Sequence, residues 1–144
     1  MTQEEKSLLF KDLCARLPYS PKCEMIDELR VVNNEREPSY ISVLFPKHLE
    51  LFSYHNNFTI KPYLRSMSSM TKEERKEYDS KRKHICDDYN RYCFDTIESI
   101  DWLNKHHFDY RGLIEKGLAI EVTEENNPYV HRTYADMMKA KEKE

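Results

Sequence analysis

Leucines at every fourth position, Leu9, Leu13 and Leu17, are followed at once by Pro18 and Pro21, and this pairing splits the chain into two textures. A spacing of four stacks side chains on one side of a helix, and Phe10 and Cys14 flank the stripe. Thr2 and Glu5 have the spacing of a capping box, in which hydroxyl and carboxylate each satisfy an orphan backbone amide. The prolines lack that amide and clash with the preceding turn, so propagation stops there. Residues 1–17 are therefore expected to form a docking helix of about four turns.

Beyond the prolines, from Lys22 to Ile60, short runs rich in Val, Ile, Leu and aromatics alternate with Asn33-Asn34, Pro38-Ser39, Pro46 and Asn56-Asn57. Such punctuation predicts a small antiparallel sheet over 22–61. Its strands are expected near Cys23–Asp27, Leu29–Val32, Tyr40–Phe45, Leu49–Tyr54 and Phe58–Ile60. Strands this short can curl into an SH3-like barrel, which removes exposed edges.

Lys61–Met70 reads as a connector, after which Thr71 and Glu74 repeat the capping-box spacing. A long charged helix is expected from Thr71, with Tyr78, Ile85, Tyr89 and Tyr92 or Cys93 as a sparse stripe. Glu77 with Lys81, Asp79 with Lys83, and Asp87 with Arg91 stand four apart as outer-face ion pairs. Asp95 or Thr96 can cap a fresh helix carrying Ile97, Ile100 and Leu103. Asp109 caps a last helical turn, which Gly117 ends in the left-handed conformation. A strand at Leu118–Val122 closes the 71–122 region, and 128–144 is expected as a weakly held tail. The sum is one α+β unit over 1–144, of ordinary length for a single core.

Composition narrows the function classes. Charged residues reach 34%, yet ten Tyr, six Phe and one Trp argue for a folded chain with a wide polar surface. Twenty-three basic and 26 acidic residues leave a net charge of −3, which offers no long-range field for coating nucleic acid. No apolar run approaches the ~18–20 residues that span a bilayer, and the opening Met-Thr-Gln-Glu-Glu-Lys predicts no export signal. Cys14, Cys23, Cys86 and Cys93 form no CxxC and are expected as reduced, core or half-buried thiols.

No nucleophile elbow, P-loop or paired-cysteine metal motif occurs, and two glycines cannot build a phosphate-cradling loop. The one chemical-looking cluster, His106-His107-Phe108-Asp109, would serve a metal-dependent enzyme. Adjacent helical residues diverge by about 100°, however, and Asp109 is better used as a cap. No catalytic, cofactor-binding or metal-ligating residue is assigned.

Contact surfaces are the stronger expectation. Arg75, Lys76, Lys81, Arg82, Lys83 and Arg91, with Tyr89 and Tyr92 interleaved, offer cations and stacking rings to RNA or single-stranded DNA. Against that, Lys72 to Arg91 holds six acids beside seven bases, the pattern of a solvated, salt-bridged helix. Asp95, Glu98 and Asp101 form an acidic surface suited to imitating phosphates before a nucleic-acid-binding protein.

Three stretches, KDLCARLPY (Lys11–Tyr19), KPYLRSMSSMT (Lys61–Thr71) and WLNKHHFDYRGLIEKGLA (Trp102–Ala119), cover about a quarter of the chain. They resemble segments of small uncharacterised proteins carried by phages and prophages of Bacteroidetes. The resemblance implies a mobile-element accessory protein in a bacterial cytoplasm, a class that includes antagonists of host defence such as anti-CRISPR proteins. It carries no functional residue. The charged segment from Glu73 to Arg91 and the extension beyond Glu124 depart from the pattern. A non-enzymatic interaction protein, binding a host protein or ribonucleoprotein, is the resulting expectation.

Overall fold

The computed structural model describes residues 1–130. Helix α1 (Gln3–Arg16) begins where expected: the Thr2 hydroxyl accepts from the Glu5 amide, and the Glu5 carboxylate accepts from the Thr2 amide at 3.0 Å. Pro18 enters a single 3-10 turn, Leu17–Tyr19, and Ser20 takes a left-handed φ of 51° that redirects the chain. The buried face differs from the predicted stripe. Leu9 and Leu13 are core residues, but Phe10 and Cys14 are exposed, and Asp12 and Arg16 occupy the buried side in their place.

Strand β1 (Lys22–Asp27) follows, then a small hairpin of β2 (Val31–Val32) and β3 (Glu35–Arg36) turned by Asn33 and Asn34 at positive φ, then β4 (Ser39–Val43). The segment expected as a strand at Leu49–Tyr54 is instead part of helix α2 (Pro46–Tyr54). Pro46 suits the first helical turn, and the ring Nδ1 of His48 accepts the Phe45 amide at 3.0 Å. Leu49 and Phe52, three apart, then reach the core together. Helical spacing outweighs the β-forming composition here.

Strand β5 (Phe58–Ser66) runs through what was expected to be a connector. It trades partners along its length. Phe58–Pro62 pair antiparallel with β1, whose other edge pairs antiparallel with β4. Tyr63–Leu64 and Arg65–Ser66 then pair in parallel with two short strands from the far end of the chain, Ile120–Glu121 and Phe108–Asp109 respectively. The sheet is mixed and runs β4-β1-β5 before reaching those strands, so it stays open at β4 rather than closing into a barrel.

A 3-10 turn (Met67–Ser69) leads to α3 (Lys72–Lys81), capped by the Thr71–Glu74 box. The predicted long helix ends at Lys81. Lys83–Cys86 and Arg91–Phe94 form strands β6 and β7 of an antiparallel hairpin. The predicted pairs Asp79–Lys83 and Asp87–Arg91 consequently do not form, because helical i,i+4 geometry does not extend into the hairpin, and Lys81, still on α3 with Glu77, turns to Glu98 instead. Thr96 caps α4 (Ile97–Lys105), as its position suggested.

Strand β8 (Phe108–Asp109) comes next. The Asp109 carboxylate accepts the Leu113 and Ile114 amides at 2.9 and 3.0 Å, but it organises consecutive turns rather than a helix. Gly112 and Gly117 both have positive φ, at 73° and 74°. Strand β9 (Ile120–Glu121) lies within the stretch predicted for it.

Two apolar clusters result. Leu9, Leu13, Met25, Phe52, Ile60 and Leu113 belong to the larger, under the sheet; Tyr78, Trp102, Leu103 and Phe108 form the smaller, between α3, α4 and β8. Of the tail expected over 128–144, residues 131–144 lie outside the described residues. Tyr129 is described and is engaged. Its ring stacks on His107 at 4.0 Å, and its hydroxyl accepts the Lys22 amide at 3.0 Å while donating to the Tyr63 carbonyl at 2.8 Å.

Candidate docking hairpin and its flanking charges

Four strand residues, four turn residues and four strand residues, KHIC-DDYN-RYCF, make the hairpin. Asp87 builds the turn: its carboxylate accepts the Tyr89 and Asn90 amides, and its own amide donates to the Asn90 carbonyl at 2.9 Å. The register sets Lys83 opposite Phe94, His84 opposite Cys93, Ile85 opposite Tyr92 and Cys86 opposite Arg91. Alternation then sorts the side chains into two faces. One carries Lys83, Ile85, Tyr92 and Phe94, with the rings of Tyr92 and Phe94 stacked at 6.2 Å. The other carries His84, Cys86, Arg91 and Cys93.

All eight strand side chains are exposed. Ile85, Tyr92 and Phe94 remain 41–48% accessible, Tyr89 at the tip 93%, and Ile97, just beyond the hairpin, 85%. Cys86 and Cys93, expected in or near the core, are exposed with Cys14, and only Cys23 is buried. The predicted stripe from Tyr78 to Tyr92 dissolves accordingly: Tyr78 alone is core.

The predicted basic cluster separates into two kinds of cation. Arg82 is held inward, over the Tyr78 ring at 5.2 Å and beside Asp79 and Asp95 at 3.8 and 3.4 Å. Its Nε lies close to Asp95 without the alignment of a hydrogen bond, so this contact is an ion pair alone. Lys81 reaches Glu98 at 3.4 Å. Arg75 and Lys76 on α3, and Lys83 and Arg91 on the hairpin, are exposed.

The acidic candidates divide in the same way. Asp95 accepts from the Tyr78 hydroxyl and from Ser99 Oγ. Desolvation and this carboxylate together push the Tyr78 phenol up to about 12. Glu98 and Asp101 are both exposed on α4, but Glu98 is engaged by Lys81. The three carboxylates therefore do not act as one free acidic face.

Chain-neighbour histidines point to different places. His106 tilts against Trp102 at 4.3 Å, whereas His107, at a left-handed φ of 63°, stacks on Tyr129. Burial, reinforced by the nearby positive Arg16, pushes the His107 imidazole down to about 4. Among the described residues, no three His, Cys, Asp or Glu side chains converge to hold a metal ion, and no helix is long and apolar enough to cross a membrane.

The chain matches no family model, no curated protein and no solved structure. Local geometry therefore carries the functional argument.

One contact on the hairpin was not anticipated. Cys93 Sγ lies 3.3 Å from His84 Nδ1, and the other ring nitrogen, Nε2, is 2.7 Å from the Asp79 carbonyl oxygen. A carbonyl only accepts, so Nε2 carries a proton, and Cys93 Sγ, 4.0 Å from Nε2 as well, sits over the ring face and off the in-plane lone pair of Nδ1. The turn formers Asp87, Asp88 and Asn90, set between Ile85-Cys86 and Tyr92-Cys93-Phe94, were the signal for this pairing; helical charge spacing concealed it.

Proposed function

We propose that this protein is a non-enzymatic interaction factor of a phage or prophage, acting in the bacterial cytoplasm. It docks on a host protein or ribonucleoprotein through the β6–β7 hairpin and thereby blocks a defence system, as anti-CRISPR proteins do. The observation that carries the docking surface is the uncovered apolar face of Ile85, Tyr92 and Phe94 on a two-stranded hairpin. A lone hairpin is marginally stable in water, and contiguous exposed apolar groups are the usual mark of a contact site. Tyr and Phe supply large contact area for few rotatable bonds.

The charges favour a protein surface over a phosphate backbone. Arg82 and Lys81 are committed to acids of the same chain, and Asp87 and Asp88 sit at the hairpin tip between Lys83 and Arg91. A nucleic-acid module is the second reading, supported by Lys83 and Arg91 flanking the exposed Tyr89 and Tyr92.

Tagged protein retained on resin in a Bacteroidetes lysate, with mass spectrometry and RNA sequencing of one eluate, separates these readings. A stoichiometric host protein lost in Ile85→Ser/Tyr92→Ser/Phe94→Ser, together with loss of phage protection by the same variant, supports protein docking. RNA lost in Lys83→Ala/Arg91→Ala moves the assignment to nucleic acid. Capture indifferent to both variants, or no capture, overturns the hairpin as the interface.

A further inference from the structure

We propose that the protein self-associates into a two-fold dimer through β4, whose free edge pairs antiparallel with the β4 edge of a second copy. β4 ends the larger sheet: β1 lies on one side of it, and no strand lies on the other among the described residues. The Asp27 amide donates to the Pro38 carbonyl at 2.7 Å, and the Leu44 amide to the Pro21 carbonyl at 2.9 Å. These bonds fix the phase of the ladder between them. Alternate residues of an antiparallel pair bond inward, so Tyr40 and Ser42 face β1, while Ser39, Ile41 and Val43 turn amide and carbonyl outward. None of those outward amides has a hydrogen-bond partner among the described residues. The Val43 carbonyl accepts the neighbouring Ser42 hydroxyl at 2.9 Å and keeps its second lone pair.

The composition of the edge selects a second copy as its occupant. Exposed edges are ordinarily guarded by charge or proline, but β4, Ser-Tyr-Ile-Ser-Val, carries neither. The strands of the β6–β7 hairpin, by contrast, carry Lys83 and Arg91. A two-fold axis through Ile41 sets that residue against its counterpart and Ser39 against the other copy's Val43, so each outward amide meets an outward carbonyl. Self-pairing brings like charges together wherever an edge is charged; here it brings a 56% exposed isoleucine against itself. On the same face of the sheet Ile41, Tyr63, Pro128 and Val130 line an open groove, so the apolar surface continues inward from the edge. The pairing consumes the same edge in both copies, and assembly therefore stops at two. So short a contact belongs to the weak class that dissociates on dilution.

The test is sedimentation velocity of the full chain over about a hundredfold range of concentration, with residue-resolved hydrogen exchange at both ends of the range. Mass is expected to double towards the high end. Exchange is expected to slow at Ser39, Ile41 and Val43 and to stay unchanged at Tyr40 and Ser42. Ile41→Pro removes an outward amide without touching the β1 ladder and is expected to weaken the dimer about tenfold or more. Ile41→Lys keeps the amide but sets like charges at the axis, with the same expected loss. Circular dichroism checks the fold of each variant.

A monomer throughout, a dimer that both variants leave intact, or a dimer without the alternating protection overturns the assignment. Ile85→Ser/Tyr92→Ser/Phe94→Ser is expected to leave the dimer unchanged, which separates this edge from the docking hairpin. Loss of the dimer in that variant would move the interface to the hairpin and overturn the role of β4.

Discussion

Arg16 donates from Nε to the Asp12 carboxylate at 2.8 Å, one helical turn away on α1, and both side chains are wholly shielded from solvent. Arg111 donates to the other Asp12 oxygen at 3.2 Å, and Arg16 Nη2 donates to the Phe108 carbonyl at 2.6 Å. One carboxylate thus pairs with two guanidiniums, leaving one net positive charge, and ties α1 to β8 and the turns after it. Arg16 Nη1 finds no hydrogen-bond partner among the described residues, which increases the arginine's dependence on Asp12.

Removing that carboxylate leaves buried charge unpaired. Asp12→Ala is expected to cost about 3–5 kcal/mol, read from urea unfolding midpoints. Replacing both partners, Asp12→Leu with Arg16→Met, removes the buried Arg16 charge as well and is expected to lose less than the single variant. A single variant within about 0.5 kcal/mol of the parent would refute the network's role.

Tyr129 fills a gap in the sheet. Where β1 and β5 part, beyond Cys23 and Pro62, its hydroxyl stands between the Lys22 amide and the Tyr63 carbonyl in place of a direct ladder bond. Tyr129→Phe keeps the ring but strands both backbone groups, at an expected cost of about 1–3 kcal/mol. Faster hydrogen exchange at the Lys22 amide is the local signature. An unchanged amide would show that the bridge does not hold this edge.

Two groups set distinct acid windows. Arg65 donates two 2.7 Å bonds to Glu74 and, with the Thr71 amide, holds this carboxyl down to about 2. Its folded pKa lies below its ordinary 4.5, so its contribution is complete above 4.5 and fades as pH falls towards 2. The His107 imidazole, held to about 4 from an ordinary 6.5, is neutral in the folded chain. The unfolded chain binds more protons between those values, so stability falls as pH drops from 6.5 to 4. His107→Asn, which tolerates the left-handed backbone, is expected to flatten the upper window; Glu74→Gln flattens the lower. His48 and His106, also pushed down by burial, account for residual slope in the upper window. Urea titrations across pH that retain the parent slope in either variant would refute the corresponding assignment.

The sequence by itself determined the features that close within a few residues. The boxes at Thr2 and Thr71, the Thr96 cap, the stop at Pro18 and the left-handed Gly117 all depend on neighbours three to five positions away. The α+β class followed from the change of texture after Pro21. Tertiary structure decided the rest. Whether Leu49 and Phe52 form a strand or a helix depends on which surface receives them. The length of β5 depends on strands β8 and β9, more than 40 residues downstream. The burial of Asp12 and Arg16 required Arg111, 99 positions away. Charge spacing over Glu73–Arg91 suits a solvated helix, but Arg82 found its partners in Tyr78, Asp79 and Asp95, and the chain turned back. That reversal set Cys93 against His84, because antiparallel register, and not proximity along the chain, chooses which residues face one another.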